Sequence, residues 1–152
     1  MIDDADVELY ERHADELIRF ASVLVGPADA EDLVIDSMLK VFASPGWRTV
    51  ADRRAYLFRS LMNQARSAHR SNVRRLVRET RSVNLRTVAV DSVRIEVLDA
   101  VRRLSVRQRA VVFFHYWEDL PVERIAVHLE VSSRTVQRDL EEAQRRLEVL
   151  LQ

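Results

Sequence analysis

The sequence contains no cysteine, which excludes disulfides, iron–sulfur clusters, thiolate zinc sites and cysteine nucleophiles. Glycine occurs only 2 times and proline 3 times in 152 residues. So few helix breakers argue against the many tight turns of sandwiches and barrels, and they favour helices. No apolar run approaches the ~20 residues of a membrane helix, and the acidic start of the chain is unlike a secretory signal. We therefore expect a cytoplasmic protein with no membrane insertion.

The chain also lacks the residue clusters on which enzymes and metal sites depend. Its four histidines share no i,i+3 or i,i+4 spacing with one another, so no zinc site is predicted: His13, His69, His115 and His128. Two glycines cannot build a phosphate-binding loop. A length of 152 residues suits one compact domain or two small ones, and a hydrophobic fraction of 47% is typical of a globular protein with a core. The prediction is a globular protein that is not an enzyme and holds no cofactor and no metal.

Acidic and basic residues are equal in number, 24 each, but they lie in separate blocks. Residues 1–45 hold 11 acidic and 3 basic residues, whereas residues 46–90 hold 2 acidic and 11 basic ones. The remaining residues are almost balanced, with 11 acidic and 10 basic. A basic block of this kind is expected of a nucleic-acid-binding surface, and the alternative is a solvated linker. The acidic block suits a basic protein surface and not DNA.

The spacing of apolar residues predicts an all-α fold of two small helical domains joined by a short linker. The expected domains are 1–71 and 92–152, with 72–91 as the linker. Helices are predicted over 6–25, from a cap at Asp29 to a break at Ser44, from about Asp52 to Arg70 or beyond, over 93–104, from a capping box at Ser105 to about Trp117, over 121–129, and from a cap at Ser132 to the C-terminus.

The segment from Val122 to Leu147 has the pattern of a helix-turn-helix. Small and apolar residues form the inner face of a short helix, a tight turn follows at 129–131, and apolar residues then recur at spacings of four, three and four. The outward positions of the second helix carry donors for base edges and phosphates. A plain helical hairpin is the alternative. Three carboxylates, Asp139, Glu141 and Glu142, argue against tight DNA binding.

A polar stripe runs along the predicted helix in the basic block, formed by Arg59, Asn63, Arg66 and Arg70 at spacings of four, three and four. The arginines suit phosphates, and the asparagine can hydrogen-bond to a base. Tyr56 and Trp47 offer aromatic faces for stacking on unpaired bases. Phe58 is expected in the core, whereas Trp47 suits the core and the surface equally well.

The chain resembles the extracytoplasmic-function (ECF) sigma factors, bacterial initiation subunits of RNA polymerase, in three segments that follow the family's order. Residues 29–34 and 39–42 resemble the region 2 helix that docks on the polymerase, and residues from Arg54 to Arg70 resemble the helix that melts the minus-ten element. Residues 104–111 and 120–136 resemble region 4, the helix-turn-helix that reads the minus-thirty-five element.

The resemblance implies partners and site residues. Contacts to the clamp helices of the largest subunit of the polymerase core are expected from Asp29, Asp32, Ile35, Asp36 and Leu39. Contacts to minus-ten DNA are expected from Trp47, Tyr56, Arg59, Asn63, Arg66 and Arg70. Contacts to minus-thirty-five DNA are expected from Ser133, Arg134, Thr135, Gln137 and Arg138. Region 4 is also expected to contact the flap of the second largest subunit, and an anti-sigma factor is a further candidate partner.

The sequence departs from the family pattern at several of these positions. Ile35 stands where the family usually has glutamine, Tyr56 where it has tryptophan, and Ser67 where it has aspartate. Glu130 stands at the turn where a glycine or a small residue is usual, and the recognition helix is less basic than is typical.

The implied function is promoter-specific transcription initiation as an alternative sigma factor. Two other hypotheses are a stand-alone helix-turn-helix regulator, and a sigma-like interaction module with weakened DNA binding.

Overall fold

All regular secondary structure in the described part of the chain is helical, which confirms the predicted fold class. A computed structural model describes the backbone of residues 2–76 and 92–152, and within these it leaves out the side chains of 69–76, 92–95 and 98. The described residues form seven α-helices: α1 (Asp4–Val25), α2 (Pro27–Ala43), α3 (Arg53–Leu76), α4 (Ser92–Arg102), α5 (Val106–Val112), α6 (Val122–Leu129) and α7 (Ser133–Leu150). A 3₁₀ turn occupies Trp47–Thr49, and a π-helical turn occupies Phe113–Trp117.

Side-chain caps set where several helices begin. Ser105 and Gln108 form the predicted capping box, in which each side chain accepts a hydrogen bond from the other residue's backbone N–H. Ser132 Oγ accepts from the backbone N–H of Thr135 at 3.1 Å, as predicted. Asp3 and Asp6 form a second capping box, which starts α1 two residues before the predicted position. These caps supply acceptors for N–H groups that have no partner inside the helix.

The cap predicted at Asp29 is wrong, because α2 already begins at Pro27. Gly26 occupies the N-cap position with φ 92°, a left-handed value that favours glycine. Proline follows at the first helical position, where it loses no intrahelical hydrogen bond. Asp29 therefore lies in the first turn of α2 and is exposed.

Helix α3 continues to Leu76, so the first residues of the predicted linker are helical. Asp52 caps this helix by accepting a hydrogen bond from the backbone N–H of Ala55 at 3.0 Å. The rest of the predicted linker, residues 77–91, lies outside the described residues. None of the described helices is long and apolar enough to cross a membrane.

Two helical units pack against each other through one continuous apolar core. We call α1, α2 and α3 the first unit, α4 to α7 the second unit, and the surface where they meet the seam. At the centre of the seam, Phe20 of α1 lies with its ring centroid 4.9 Å from that of Phe113 and 5.1 Å from that of Phe114. Phe58 of α3 adds an edge-to-face contact with Phe114 at 5.5 Å. The predicted core position of Phe58 is confirmed, since its side chain is fully buried.

The helix-turn-helix of the second unit folds as the apolar pattern predicts. Ile125, Ala126 and Leu129 of α6 are buried, and Val136, Leu140 and Ala143 of α7 face them. Glu130 makes the turn with φ 54° and ψ 43°, a left-handed conformation that is uncommon for a residue with a side chain. The half-buried Val131 fills the corner between the two helices.

Candidate nucleic-acid and protein interfaces

One face of α2 is exposed and carries all five predicted polymerase contacts: Asp29, Asp32, Ile35, Asp36 and Leu39. The opposite face of this helix is buried in the first unit. The side chains of Ile35 and Leu39 remain 42% and 51% exposed, although both are large and apolar. Aspartates flank them on the same face. An apolar strip with an acidic rim has the composition of a surface that binds another protein with basic residues around an apolar contact.

The polar stripe on α3 is only partly open to solvent. Asn63 is exposed, and Arg59 and Arg66 are half-buried. The side chain of Arg70 lies outside the described residues, so the predicted stripe is described as far as Arg66. The guanidinium of Arg59 lies 5.9 Å from the ring centroid of Tyr56, in a cation–π arrangement. The structure thus places four of the six predicted minus-ten residues, Tyr56, Arg59, Asn63 and Arg66, on the accessible length of one helix.

A polar groove of about 360 Å³ lies between α2 and α3, beside this stripe. Side chains with hydroxyl or amide groups dominate its lining: Ser37, Ser44, Ser60, Asn63, Gln64 and Ser67. Lys40 crosses the groove and donates to Gln64 Oε1 at 3.1 Å. Ser37 is 2% exposed, and its Oγ has no hydrogen-bond partner among the described residues. The groove therefore offers a ligand hydroxyl and amide groups that can donate and accept hydrogen bonds.

No binding role was predicted from the sequence for the serines of this groove. They lie on α2, directly after its end and on α3, and they come together only because α2 packs against α3. The one available signal was Ser37 at an inward position of α2, between the buried Val34 and Met38. A polar residue on the buried face of a helix is uncommon without a partner.

The predicted stacking role of Trp47 needs correction, because its side chain is 1% exposed. The indole N–H donates to Asp6 Oδ1 at 2.8 Å, and the ring packs between Phe42 and Tyr56. In this fold the ring has no free face for a base. Trp47 instead fixes the loop between α2 and α3 to the start of α1.

Helix α7 presents the predicted recognition residues to solvent. Ser133, Arg134, Gln137 and Arg138 are exposed, and Thr135 is half-buried. The hydroxyl of Thr135 lies 2.9 Å from that of Ser132, so this threonine belongs partly to the helix cap. The buried face of the helix packs on α5 and α6. This arrangement leaves the N-terminal half of α7 free to enter a groove of duplex DNA.

Asp139 does not oppose DNA binding in the way that the sequence predicted. It is 7% exposed and accepts two hydrogen bonds from Arg107, at 2.5 Å to Nε and 3.3 Å to Nη2. The pair joins α7 to α5 and balances the carboxylate charge. Glu141 and Glu142 stay exposed, as expected. One of the three unfavourable carboxylates is therefore structural.

Ion pairs cross the seam at its polar edge. Arg54 of α3 donates two hydrogen bonds to Glu16, at 2.9 and 3.0 Å, and a third to Glu118 of the second unit at 3.3 Å. Hydrogen bonding to Glu16 raises the pKa of Arg54 further above its already high value. Burial alone would raise the pKa of Glu16, but Arg54 and His13 together lower it below its ordinary value. A second pair joins Arg59 Nη1 to Glu130 Oε1 at 3.0 Å.

Comparison with known proteins assigns both units to one family. The family model "Sigma-70 region 2" matches residues 9–75, and "Sigma-70, region 4" matches residues 94–147. The RNA polymerase sigma-E factor of Streptomyces avermitilis is 31% identical, over 92% of this chain and 81% of that protein. The ECF RNA polymerase sigma factor SigL of Mycobacterium tuberculosis is also 31% identical, over 95% of this chain and 87% of that protein.

The chain is an ECF sigma factor of the sigma-70 family. As such it is an alternative sigma factor of bacterial RNA polymerase, which directs transcription initiation at promoters. The two matched regions cover the first and second units in the order that the sequence predicted. The match to region 2 also argues against a stand-alone helix-turn-helix regulator, because that alternative leaves residues 1–70 without a role.

Solved structures share the fold of this sigma factor. The sigma factor RpoE in complex with the anti-sigma factor NepR, from Bartonella quintana, superposes with a TM-score of 0.76 at 23% identity, over 98% of both chains. The structure of CnrH in complex with the cytosolic domain of CnrY gives a TM-score of 0.62 at 22% identity, over 97% of this chain and 87% of that one.

Proposed function

We propose that this sigma factor uses three separate surfaces, one for the polymerase core and two for promoter DNA. The exposed face of α2 is the polymerase contact, and the observation that carries this assignment is the exposed pair Ile35 and Leu39 within a rim of aspartates. The partner surface is the clamp helices of the largest polymerase subunit. Ile35 supplies an apolar contact where the family usually has a polar one.

The second surface is α3 with the groove beside it, and its proposed ligand is the unpaired strand of the minus-ten element. Arg59 and Arg66 would contact phosphates, while Asn63 lies at the edge of the groove and can hydrogen-bond to a base. A base that leaves the base stack needs hydrogen-bonding partners for its edge and a pocket that holds it apart from the neighbouring bases. The unsatisfied Ser37 Oγ on the groove floor and the hydroxyl-rich walls support this use.

The third surface is the N-terminal half of α7, with duplex minus-thirty-five DNA as its proposed ligand. Gln137 and Arg138 lie on the exposed face with donors for base edges, and Ser133 and Arg134 precede them at the N-terminal end of the helix. Because Asp139 is paired with Arg107, Glu141 and Glu142 alone oppose the phosphates. We expect the isolated second unit to bind duplex weakly and to depend on the tethered first unit for occupancy.

Residues 1–71 act in this proposal as the region 2 domain and 92–152 as the region 4 domain, the latter also contacting the flap of the second largest subunit. The protein acts in the cytoplasm, where the polymerase is, and it catalyses no reaction of its own. An anti-sigma factor is a further proposed partner, and its support is that the sigma factor RpoE of similar fold was solved with one.

The test is reconstitution with bacterial core polymerase. The purified chain should copurify with core and should direct initiation from a subset of promoters in a genomic library transcribed in vitro. Core alone is the control for initiation without a sigma factor. Absence of both core binding and promoter-dependent transcripts would contradict the proposal, whereas core binding without transcripts would favour the interaction-module hypothesis.

A further inference from the structure

In the described arrangement of the two units, α3 and α7 cannot contact both promoter elements at once. This inference rests on the proposed function, which assigns the minus-ten element to α3 and the minus-thirty-five element to α7. The minus-ten and minus-thirty-five elements lie about 25 base pairs apart, which is roughly 85 Å along the duplex axis. A compact chain of 152 residues has a radius of gyration of about 15 Å and spans only about 40 Å. The two units must therefore separate at the seam before α3 and α7 can both engage the promoter. The described structure is a closed state.

Several contacts of different kinds hold this state together. The ring cluster of Phe20, Phe58, Phe113 and Phe114 forms its apolar centre. Arg109 of α5 is buried, and it donates to the backbone carbonyls of Leu24 in α1 and of Arg102 in α4. Because all of these groups are buried, no DNA or protein surface can compete for them while the units stay together.

The ion pair between Arg59 and Glu130 differs from these contacts in being accessible. The Glu130 side chain is 69% exposed and that of Arg59 is 22% exposed. Arg59 belongs to the proposed minus-ten surface, and a carboxylate presents to a guanidinium the same kind of paired anionic oxygens as a phosphate does. In the closed state, Glu130 therefore occupies an arginine that DNA would otherwise contact.

The backbone at Glu130 strengthens this interpretation. The residue closes the turn between α6 and α7 in the left-handed conformation, where glycine is favoured because it has no Cβ. Glutamate is a poor choice for that turn itself. Its carboxylate, however, reaches from the second unit to α3 of the first, which a glycine could not do.

We propose that Glu130 is an autoinhibitory latch: in the closed state its carboxylate takes the place of a promoter phosphate on Arg59 and helps to hold region 4 against the minus-ten surface. When Arg59 binds DNA, its guanidinium exchanges the Glu130 carboxylate for a phosphate. Loss of the Glu130 contact removes one of the contacts between the α6–α7 turn and α3, so it shifts the balance towards the open state. The latch therefore makes the closed state and phosphate binding at Arg59 mutually exclusive.

Opening can be measured directly because the chain contains no cysteine. Cysteines placed at the exposed positions Glu11 of α1 and Glu148 of α7 carry a donor and an acceptor fluorophore. The full chain is compared with Glu130→Gln, which removes the charge but keeps the shape of the side chain. Glu123→Gln is the matched control, because Glu123 is exposed on α6 and forms no ion pair within the part of the chain that the structure describes. We expect the open fraction to rise in Glu130→Gln alone.

Binding provides the second readout. A short single-stranded DNA of mixed sequence, followed by fluorescence anisotropy over a salt series, probes the phosphate contacts of α3. We expect Glu130→Gln to bind about two- to five-fold more tightly than the parent, the range that a partly exposed ion pair supports, and Glu123→Gln to bind with a smaller gain. Arg59→Ala, introduced into both the parent chain and the Glu130→Gln variant, should abolish the difference in affinity between them, since no guanidinium is left to release.

A structural role for Glu130 would show itself in a glycine variant. Glu130→Gly relieves the strain of the left-handed backbone and removes the carboxylate. It should therefore preserve the thermal stability of the fold while it increases the open fraction. Asp119 also has a left-handed backbone, with φ 52°. Asp119→Gly relieves the same kind of strain there and should not change the open fraction. Equal opening and equal DNA affinity of Glu130→Gln and Glu123→Gln would overturn the latch. Neither readout uses polymerase, so this outcome is distinct from a failure of the parent chain to bind core.

Discussion

Asp139 differs from Glu141 and Glu142 in burial, although the sequence places all three carboxylates on one helix. Its pairing with Arg107 makes it part of the contact between α5 and α7. The exposed glutamates have no such role among the described contacts and remain the residues that weaken attraction to phosphate. The charge of a residue is thus evident from the sequence, whereas its partner is not.

Replacing Asp139 with alanine should destabilise the protein by about 1–3 kcal/mol, because a charged hydrogen-bonded pair is broken and Arg107 loses its acceptor. Glu142→Ala, on the exposed side of the same helix, should change the free energy of unfolding by less than about 0.5 kcal/mol. Urea denaturation of the full chain measures both. Similar losses in the two variants would mean that the pair contributes nothing measurable.

His128 lies on α6 at the seam, with its ring stacked on Phe114 at 5.4 Å. Burial lowers the pKa of His128 below the ordinary value of 6.5, and the nearby Arg54 lowers it further. Asp52 acts in the opposite direction, and Arg124 and Arg59 add smaller lowering effects. Its buried Nδ1 has no hydrogen-bond partner among the described residues. The folded state therefore favours the neutral ring.

Stability should consequently fall as the pH drops below about 6.5, since the unfolded chain takes up the proton there before the folded one does. The contribution of His128 is fully present at higher pH and is lost as the pH falls from the unfolded pKa to the lowered folded one. His128→Gln should flatten this part of the profile of unfolding free energy against pH. An unchanged slope in the variant would show that another group causes the dependence.

At the scale of single helices, α2 has a buried face and an exposed face, and the exposed one is the proposed polymerase contact. Its buried face builds the first unit, and its exposed face carries Asp32 and Asp36 at i,i+4 beside Ile35. Substitutions on the exposed face can therefore alter binding without altering the fold.

Asp32→Arg should weaken binding to core polymerase, because a positive charge would face a basic partner surface. We expect a loss of about ten-fold, measured by titration of labelled core, with circular dichroism unchanged. Glu11→Arg makes the same charge reversal on the exposed side of α1 and should leave core affinity close to that of the parent. Equal losses in both variants would indicate a general charge effect instead of a docking face.

Helix α3 combines burial and recognition along its length. Phe58, Leu61 and Ala65 are fully buried, whereas Asn63 projects from the opposite side at the edge of the polar groove. This division lets the helix hold the core while it leaves polar groups exposed for the proposed contact with an unpaired strand.

Asn63→Ala should reduce open-complex formation on a fully paired promoter far more than on the same promoter with a pre-melted minus-ten segment. The reason is that a base contact of the melted strand contributes to the melting step, which the bubble template bypasses. Permanganate footprinting of the holoenzyme on both templates measures the difference. Equal defects on the two templates would assign Asn63 to the fold or to core binding.

At the scale of the whole molecule, the phenylalanine cluster makes the two units part of one core. Each unit holds one of the two tryptophans, Trp47 in the first and Trp117 in the second. Single-tryptophan variants, Trp47→Phe and Trp117→Phe, therefore report on the units separately.

Within each variant, tryptophan fluorescence and helical circular dichroism should give the same urea midpoint, because unfolding of either unit exposes the shared rings of the seam. Phe20→Ala should lower both midpoints together, by an amount corresponding to about 3–5 kcal/mol. A change in the midpoint of the first unit alone would contradict the shared core. The tryptophan variants without Phe20→Ala are the controls.

Most helix positions could be predicted from the sequence, because apolar spacing and caps act over a few neighbouring residues. Ser105 and Ser132 cap where predicted, and Gly26 and Ser44 separate the helices as expected. The predicted start of α2 was wrong by a few residues, since the preference of Pro27 for the first helical turn outweighed the capping tendency of Asp29. The exposed face of a single helix could also be predicted. The exposed positions of the predicted contact residues on α2 and α7 follow from the helical periodicity of the sequence, apart from the half-buried Thr135.

Contacts between residues far apart in the chain were decided only by the tertiary structure. The sequence could not show that Asp139 meets Arg107, that Trp47 turns inward to Asp6, or that Glu130 reaches Arg59. The serine-lined groove likewise exists only where α2 and α3 pack together. Local preferences determine helices because hydrogen bonds and caps link near neighbours, whereas partners are selected by how helices dock, which depends on the shapes of all buried side chains together.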